Sequence, residues 1–425
     1  MSALPRTLLP DTAAAATDGM LTIGGCRVDE LATEHGTPLF VYDEAHLRAR
    51  CRESVAAFGR QRATYATKAF LCRAMARLAH EEGMLLDVAS GGELHVALAA
   101  GVPADACTMH GNNKSVDELR TAIEVGVRHL IVDSFDELDR LDVLHAGGDL
   151  PVPNVLLRIT PGVHAHTHEY IATGQNDSKF GFNLANGAAA DAVDRARRSP
   201  AVELVGLHCH IGSNVFAADS FGRAAEVMAG FAAPLDLPEL VLGGGLGVAY
   251  VTGEVAPTIT EWAEVVLDVC ASLDVRSAVS VEPGRAIVAS AAVTIYTIGT
   301  IKDIPGVRTY VAVDGGMSDN PRPVLYGSGY EAFLPREVDA ERSLRARVVG
   351  KHCESGDVLL FNAHLPADTA VGDLLAVPVT GAYGHSMGSN YNKVPRPPVV
   401  FVDDGVARVV VRRETFADLL ATDTG

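Results

Sequence analysis

Apolar runs and helical patterns alternate along the middle of the chain. Runs rich in apolar and β-branched residues predict eight strands, near 62–67, 85–89, 106–110, 129–133, 154–160, 203–209, 239–243 and 279–282. Apolar residues at helical spacing follow these runs, as with Leu71, Met75 and Leu78 in a helix predicted at 71–82. Eight consecutive βα units predict a (β/α)8 barrel of the TIM type, with a doubly wound open sheet as the alternative.

The pattern changes after Glu282, where helical spacing becomes sparse. Strand-like runs then follow one another at 292–298, 309–313, 346–349, 358–361, 374–378, 399–402 and 407–412. The chain therefore predicts a mostly β second domain, which ends in a short helix at 414–421.

The segment before the barrel has its own pattern. Strand-like runs at 21–26 and 38–42 flank a helix predicted at 28–35, and the small, polar residues 1–19 are predicted to be disordered. We divide the chain into an N-terminal segment at 1–41, a barrel at 42–290 and a C-terminal β domain at 291–425.

Composition narrows the class of protein. A hydrophobic content of 48% with 21% charged residues is typical of a globular enzyme, and a net charge of −18 disfavours nucleic acid and anionic membranes as partners. The 7 cysteines are scattered without a Cys-x-x-Cys pair, which indicates a reduced, cytoplasmic protein. We see no signal peptide, and the weakly polar stretch at 286–296 is too short to span a bilayer.

Polar residue types follow every predicted barrel strand. In chain order they are Lys68, Asp87, His110, Asp133, Arg158, the group His208, His210 and Ser213, the glycines of 243–247, and Glu282 with Arg285. The carboxyl ends of parallel barrel strands meet on one face, which is the catalytic face of such barrels. We therefore expect these side chains to lie close together.

Lysine and glycine positions on this face suggest a cofactor. Lys68 can form a Schiff base, although most lysines at element ends are solvated charges. The glycines of 243–247, beside Gly284 and Arg285, predict a phosphate site because backbone N–H groups can approach an anion there. A Schiff-base lysine beside a phosphate site suggests pyridoxal 5′-phosphate. Glu282 would then face the pyridine nitrogen, the alternative being a simple ion pair with Arg285.

A series of motifs recurs in a fixed order along residues 37–415. The motifs are Tyr65-Ala66-x-Lys68-Ala69, His208-x-His210-Ile211-Gly212-Ser213, Gly243-Gly244-Gly245, Glu282-Pro283-Gly284-Arg285, Asp314-Gly315-Gly316-Met317, Cys353-Glu354-Ser355-x-Asp357, Gly381-Ala382-Tyr383 and Ser386-Met387-x-Ser389-x-Tyr391-Asn392. In this order they resemble the diaminopimelate decarboxylase family, which belongs to the alanine-racemase-like group of pyridoxal-phosphate enzymes. The resemblance implies a barrel joined to a β domain that is built from the N-terminal strands and the C-terminal part.

The resemblance also implies roles for individual residues. Lys68 would hold the cofactor covalently, His210 would stack on its ring, and the other cofactor-binding residues would be Asp87, Ser213, Gly244, Gly245, Glu282, Pro283, Gly284, Arg285 and Tyr383. The substrate would contact Arg285, Arg322, Tyr326, Glu354 and Tyr383. The chain would form a homodimer with shared active sites, to which the neighbouring subunit contributes Cys353 as proton donor and Glu354 as the contact for the distal amine.

These residue types suit the decarboxylation of meso-diaminopimelate to L-lysine, the last step of lysine biosynthesis. Two arginines and a tyrosine suit a distal carboxylate, and Glu354 suits a distal ammonium group.

Three other functions would share part of this pattern. An ornithine- or arginine-type decarboxylase would need acids where Arg285 and Arg322 stand, and a fold-related amino-acid racemase would carry an arginine where Glu282 stands. A non-catalytic pyridoxal-phosphate carrier would leave the β domain unexplained.

A histidine-rich stretch has part of the pattern of a metal site. His164, His166 and His168 alternate as ligands on a strand would, but no cysteine or carboxylate completes a set, and we expect no metal.

Overall fold

The computed structural model describes residues 4–163, 174–175 and 177–425. The residues divide into two compact units. One comprises residues 1–49, 249–255 and 287–425, and the other comprises residues 50–248 and 256–286. The histidines at 164, 166 and 168 lie outside the described residues.

The second unit is a parallel β barrel. Within the described ranges its eight successive barrel strands are Thr64–Ala66, Leu85–Val88, Cys107–Met109, His129–Val132, Asn154–Thr160, Glu203–His208, Glu239–Val241 and Ala278–Ser280, here called the first to the eighth. Each pairs in parallel with the next, and a parallel bridge between Ala63 and Val281 joins the eighth strand to the first. The sheet is therefore closed, which confirms the barrel and excludes the open sheet.

Helices follow the barrel strands, and several begin at residues suited to helix N-termini. The helices are Glu44–Phe58 before the first strand, then Arg73–Glu81, Gly91–Ala99, Val116–Val125, Phe135–Ala146, Ala188–Arg198, Ala218–Ala232, Ile259–Ser272 and Arg285–Val288. Ser115 with Glu118 and Thr258 with Glu261 form capping boxes. These caps satisfy backbone N–H groups that have no partner within the helix.

The first unit is mostly β, as the sequence predicts. Its main sheet runs in the order Val358–Leu365, Leu344–Val349, Arg308–Val313, Ala292–Ile304, Leu39–Asp43, Val399–Asp403, Val406–Val411, and Leu374–Pro378 also pairs with Ala292–Ile304. A separate sheet holds the strands Ala14–Ala15, Leu21–Ile23 and Cys26–Arg27, and the helices are Val28–His35 and Arg322–Tyr326. Strand Leu39–Asp43 thus lies between two strands from the C-terminal part.

Two local predictions at the termini are wrong. The expected disorder at 1–19 conflicts with a 3-10 turn at Arg6–Leu8 and with Leu4, Leu8 and Leu9, which are buried. The hydroxyl group of Thr12 also donates to the Asp43 carboxylate at 2.7 Å, so apolar burial and this hydrogen bond order the segment. The helix expected at 414–421 shrinks to a 3-10 turn at Asp418–Leu420.

Along the parts of the chain that the structure describes, the helices are all too short or too polar to cross a bilayer.

Candidate active site

The carboxyl ends of the barrel strands gather the polar residues that the sequence places there. Lys68 lies in a 3-10 turn at Thr67–Ala69, directly after the first strand, and its Nζ is 3.3 Å from Oδ2 of Asp87 on the second strand. The Lys68 side chain is 44% exposed, whereas that of Asp87 is 1% exposed. The lysine amine is therefore reachable from solvent while a buried carboxylate fixes its direction.

Glu282 is a buried carboxylate with an imidazole at each oxygen. Its Oε2 is 3.0 Å from Nε2 of His208, the last residue of the sixth strand. Its Oε1 is 3.1 Å from Nε2 of His110, which follows the third strand. Burial favours the neutral acid, but the two imidazoles outweigh burial and hold the pKa of Glu282 well below its usual range. Glu282 is therefore an anion.

These three side chains also satisfy the spacing of a metal site. Ligand atoms of His110, His208 and Glu282 lie within 4.8 Å of one another, and all three residues are buried. Because each imidazole faces a different carboxylate oxygen, the cluster is explained without an ion.

His210 is held as a neutral ring. Burial, followed by the positive charge of Lys68, lowers its pKa well below the usual value. Its Nδ1 accepts the backbone N–H of Gly244 at 3.2 Å, so the ring proton belongs on Nε2. The loop after the seventh strand thereby fixes the imidazole that follows the sixth.

Three loops approach one another so closely that only glycine fits between them. A Cβ atom at Gly244 would lie 2.0 Å from the carbonyl oxygen of Glu282, and one at Gly245 would lie 2.0 Å from that of Gly212. Beside these loops the guanidinium of Arg285 donates to the Ser213 hydroxyl at 2.8 Å. Side-chain-free backbone, a hydroxyl group and a guanidinium are groups that bind phosphate, so this end of the barrel fits pyridoxal 5′-phosphate.

In the other unit, Arg322 is enclosed by aromatic rings. Its guanidinium carbon lies 4.2 Å from the ring centre of Tyr250 and 5.5 Å from that of Tyr330, and Nη1 donates to the Tyr330 hydroxyl. The residue is buried, and although burial disfavours its charge, the two tyrosines outweigh this effect and raise its pKa. Arg322 is therefore a fixed, permanent cation.

Cys353 and Glu354 lie on an exposed turn that is held in place by hydrogen bonds. The Asp357 carboxylate accepts the backbone N–H groups of His352 at 2.8 Å and of Met317 at 2.7 Å. The Asn392 side-chain oxygen accepts the N–H of Cys353 at 3.0 Å. Three motifs that are far apart in the sequence therefore meet at this turn.

The remaining predicted residues are also placed within their own units. Tyr326 ends the helix Arg322–Tyr326 and is half-buried, and Tyr383 is half-buried with a left-handed φ of 63°. In the barrel, a Cβ atom at Gly284 would lie 2.9 Å from that of Ala66, and the backbone N–H of Ala66 donates to the Pro283 carbonyl at 3.1 Å, so Pro283 and Gly284 pack against the first strand.

Several residues of these clusters were given no role from the sequence. His110 and His208 were recognised only as strand-end polar residues, and Asn392 only as part of a motif. Tyr250 and Tyr330 carry no sequence signal, because their packing on Arg322 joins positions that are distant along the chain.

Comparisons with known proteins agree with this geometry. Residues 44–289 match the family model described as pyridoxal-dependent decarboxylase, pyridoxal binding domain. Diaminopimelate decarboxylase of Corynebacterium efficiens is 46% identical over 99% of this chain and 95% of its own length, and that of Bacillus subtilis is 45% identical over 95% of each. The crystal structure of diaminopimelate decarboxylase from M. jannaschii has a TM-score of 0.90 and 32% identity, with 98% of each chain covered. This chain therefore belongs to the diaminopimelate decarboxylase family of pyridoxal-dependent decarboxylases.

Proposed function

We propose that this chain removes one carboxylate of meso-diaminopimelate as CO2 and yields L-lysine, the last step of lysine biosynthesis. The observation that carries the proposal is the convergence of Lys68, Asp87 and the doubly contacted Glu282 at one end of the barrel, in a chain that matches a diaminopimelate decarboxylase over 95% of that relative's length. Ornithine- or arginine-type decarboxylation and racemisation have no comparable support.

Apart from Tyr383, the cofactor-binding residues would lie in the barrel segment, for which we keep the predicted limits of 42–290. Lys68 would attach the cofactor covalently, with Asp87 directing its amine. His210 would stack on the ring, and Ser213, Gly244, Gly245 and the 282–285 turn would surround ring and phosphate, with Tyr383 as a further phosphate contact. When bound, pyridoxal 5′-phosphate supplies a ring that accepts the electron pair left by departing CO2.

The chain's own residues would then complete the reaction. Glu282, as an anion, would hold a proton on the ring nitrogen. Cys353 would donate a proton to the substrate carbon that lost CO2. Arg285, Arg322 and Tyr326 would bind the distal carboxylate, and Glu354 would bind the distal ammonium group.

We infer that the active site is shared in a homodimer, with Cys353 and Glu354 completing the site of the neighbouring subunit. Both residues are exposed in the single chain, which supports a role outside its own core. We also place the protein in the cytoplasm, where its seven free cysteines would remain reduced.

The test of substrate and reaction is CO2 release by cofactor-loaded protein with meso-diaminopimelate, L-ornithine, L-arginine and L-lysine in parallel. We expect release from meso-diaminopimelate alone. Release only from a basic amino acid would overturn the distal-carboxylate assignment, and release from none would refute the decarboxylase function. Lys68→Ala is the control and should lose the visible absorbance of the covalently held cofactor.

The shared site is tested by mixing two inactive variants. Lys68→Ala and Cys353→Ala protomers each lack one part of the site, so hybrid dimers should contain one intact site and recover part of the activity. Absence of recovery, when mass spectrometry shows that hybrids have formed, would refute the sharing of sites.

A further inference from the structure

Two histidines of the barrel have no part in the reaction described above, yet both face Glu282. His208 and His110 are 1% and 7% exposed at their side chains, and their rings pack edge to face with centroids 5.1 Å apart. Each ring therefore limits the rotation of the other, and the pair presents one Nε2 atom to each oxygen of Glu282.

The protonation of His208 follows from its surroundings. Its Nε2 faces a carboxylate oxygen at 3.0 Å and must carry the proton to donate. In the described part of the chain, its buried Nδ1 has no hydrogen-bond partner, which fits an unprotonated nitrogen. Burial lowers the pKa of His208, so the ring is a neutral donor rather than a second charge.

His110 acts differently, because it also faces Asp87. Its Nε2 lies 3.1 Å from Oε1 of Glu282 and 3.7 Å from Oδ1 of Asp87, while the other oxygen of Asp87 contacts Lys68. Among the described residues this Nε2 has no partner in hydrogen-bond geometry, so its contacts with the two carboxylates are electrostatic. The distances describe a continuous line of contacts from Lys68 through Asp87 and His110 to Glu282. His208 contacts Glu282 at the opposite oxygen.

We propose that His208 and His110 are positioning residues that hold both oxygens of Glu282 and keep this carboxylate ionised toward the cofactor ring nitrogen. The inference rests on the proposed function, since it assumes that Glu282 faces that nitrogen. A buried carboxylate that accepts a hydrogen bond from His208, with the His110 ring nitrogen 3.1 Å from its other oxygen, is a weaker base than one without these neighbours. The proton shared by Glu282 and the ring nitrogen therefore stays on the nitrogen.

Other charged and titratable groups around Glu282 also affect whether the shared proton lies on Glu282 or on the ring nitrogen. They are Asp87 on the second strand, Arg158 on the fifth, and Cys209 and His210 after the sixth. Arg158 adds a favourable positive charge, but its nearest acid is Asp133 at 3.6 Å. His208 and His110 lie closer to the Glu282 oxygens than this distance, so they are the residues to vary.

The test uses protein reconstituted with pyridoxal 5′-phosphate that carries nitrogen-15 in its ring, because the nitrogen chemical shift reports ring protonation directly. His208→Leu removes the donor, whereas His208→Gln offers an amide N–H at a similar reach and is the matched control. A hydrogen bond to a charged group corresponds to about one to two pKa units, so loss of the His208 hydrogen bond should change the ratio of ring-protonated to Glu282-protonated forms by about ten- to a hundredfold.

We expect the nitrogen shift to move toward the unprotonated position in His208→Leu and further in the His110→Leu/His208→Leu double variant, while His208→Gln retains the wild-type shift. His110→Leu alone carries the same prediction if His208→Leu does not fold. An unchanged shift in both single variants would overturn the proposal, provided that Glu282→Gln moves it. If Glu282→Gln also leaves the shift unchanged, the assignment of Glu282 in the proposed function fails instead.

Discussion

Asn392 supports the turn that carries Cys353, and its removal gives a sharp test of that support. Its side-chain oxygen accepts the Cys353 N–H at 3.0 Å and lies 3.3 Å from Nδ1 of His352. Its backbone is left-handed, with φ 52° and ψ 24°, a conformation that asparagine tolerates better than most residues. Asn392→Gly removes both side-chain contacts without straining the backbone, whereas Asn392→Ala removes them and also strains the backbone.

The size of each expected effect follows from the lost hydrogen bond and from the backbone strain. The Cys353 contact is exposed to water, so its loss should cost about 0.5–1 kcal/mol, at the low end for a neutral hydrogen bond. If Cys353 donates the proton in the slow step, kcat in Asn392→Gly should fall by about two- to fivefold. Asn392→Ala should lose about 1–2 kcal/mol more in the free energy of unfolding, because alanine resists a left-handed backbone.

The assay is steady-state CO2 release from meso-diaminopimelate, together with chemical unfolding of each variant. Asn392→Asp retains the acceptor and the backbone preference and should behave as the wild type. A wild-type kcat in Asn392→Gly would show that Asn392 does not position Cys353. If Cys353→Ala itself keeps full activity, the role assigned to the cysteine is wrong.

Three further predictions concern other clusters. Burial raises the pKa of Asp319 to about 7, so the folded chain retains a proton that the unfolded chain loses near pH 4. Relative to Asp319→Asn, the free energy of unfolding of the wild type should therefore fall by up to about 4 kcal/mol as the pH rises from about 4 to 7. A difference between the two proteins that does not change with pH would contradict this. Tyr330→Phe removes a contact to Arg322 and should raise KM for meso-diaminopimelate about tenfold without changing the visible absorbance of the cofactor. Lys114→Met leaves the buried Glu137 carboxylate without its 2.8 Å partner and should lower the free energy of unfolding in urea by about 3–5 kcal/mol. Lys302 is exposed, so the control variant Lys302→Met should not destabilise the fold.

Strand positions were predictable because burial makes barrel strands nearly continuous apolar runs. All eight predicted runs overlap the observed strands, and the β strands of the other unit also fall where the runs indicate. The ordered structure before residue 19 was not predictable, because Leu4, Leu8 and Leu9 are too few to form a period. Closure of the barrel was not predictable either, since the bridge between Ala63 and Val281 joins residues that are distant in sequence.

The candidate site was also only partly predictable from the sequence. Residue types at strand ends could be read directly, since parallel strands must bring Lys68, Asp87 and Glu282 to one face. Side-chain contacts between residues on different structural elements could not be predicted from sequence spacing. The contact of His110 with Glu282 depends on side-chain direction, and the packing of Tyr250 on Arg322 depends on chain segments that no local pattern connects.

The place of strand Leu39–Asp43 has a consequence for synthesis of the chain. This strand pairs with Ala292–Ile304 and Val399–Asp403, which are translated only after more than half of the chain has followed it. A ribosome therefore releases the eight barrel strands while the early strand still lacks both neighbours. The apolar residues of that strand, which are buried in the folded chain, must remain exposed or chaperoned until Ala292–Ile304 and then Val399–Asp403 have been synthesised. A stalled or truncated chain would consequently present an unpaired strand edge that is prone to aggregation.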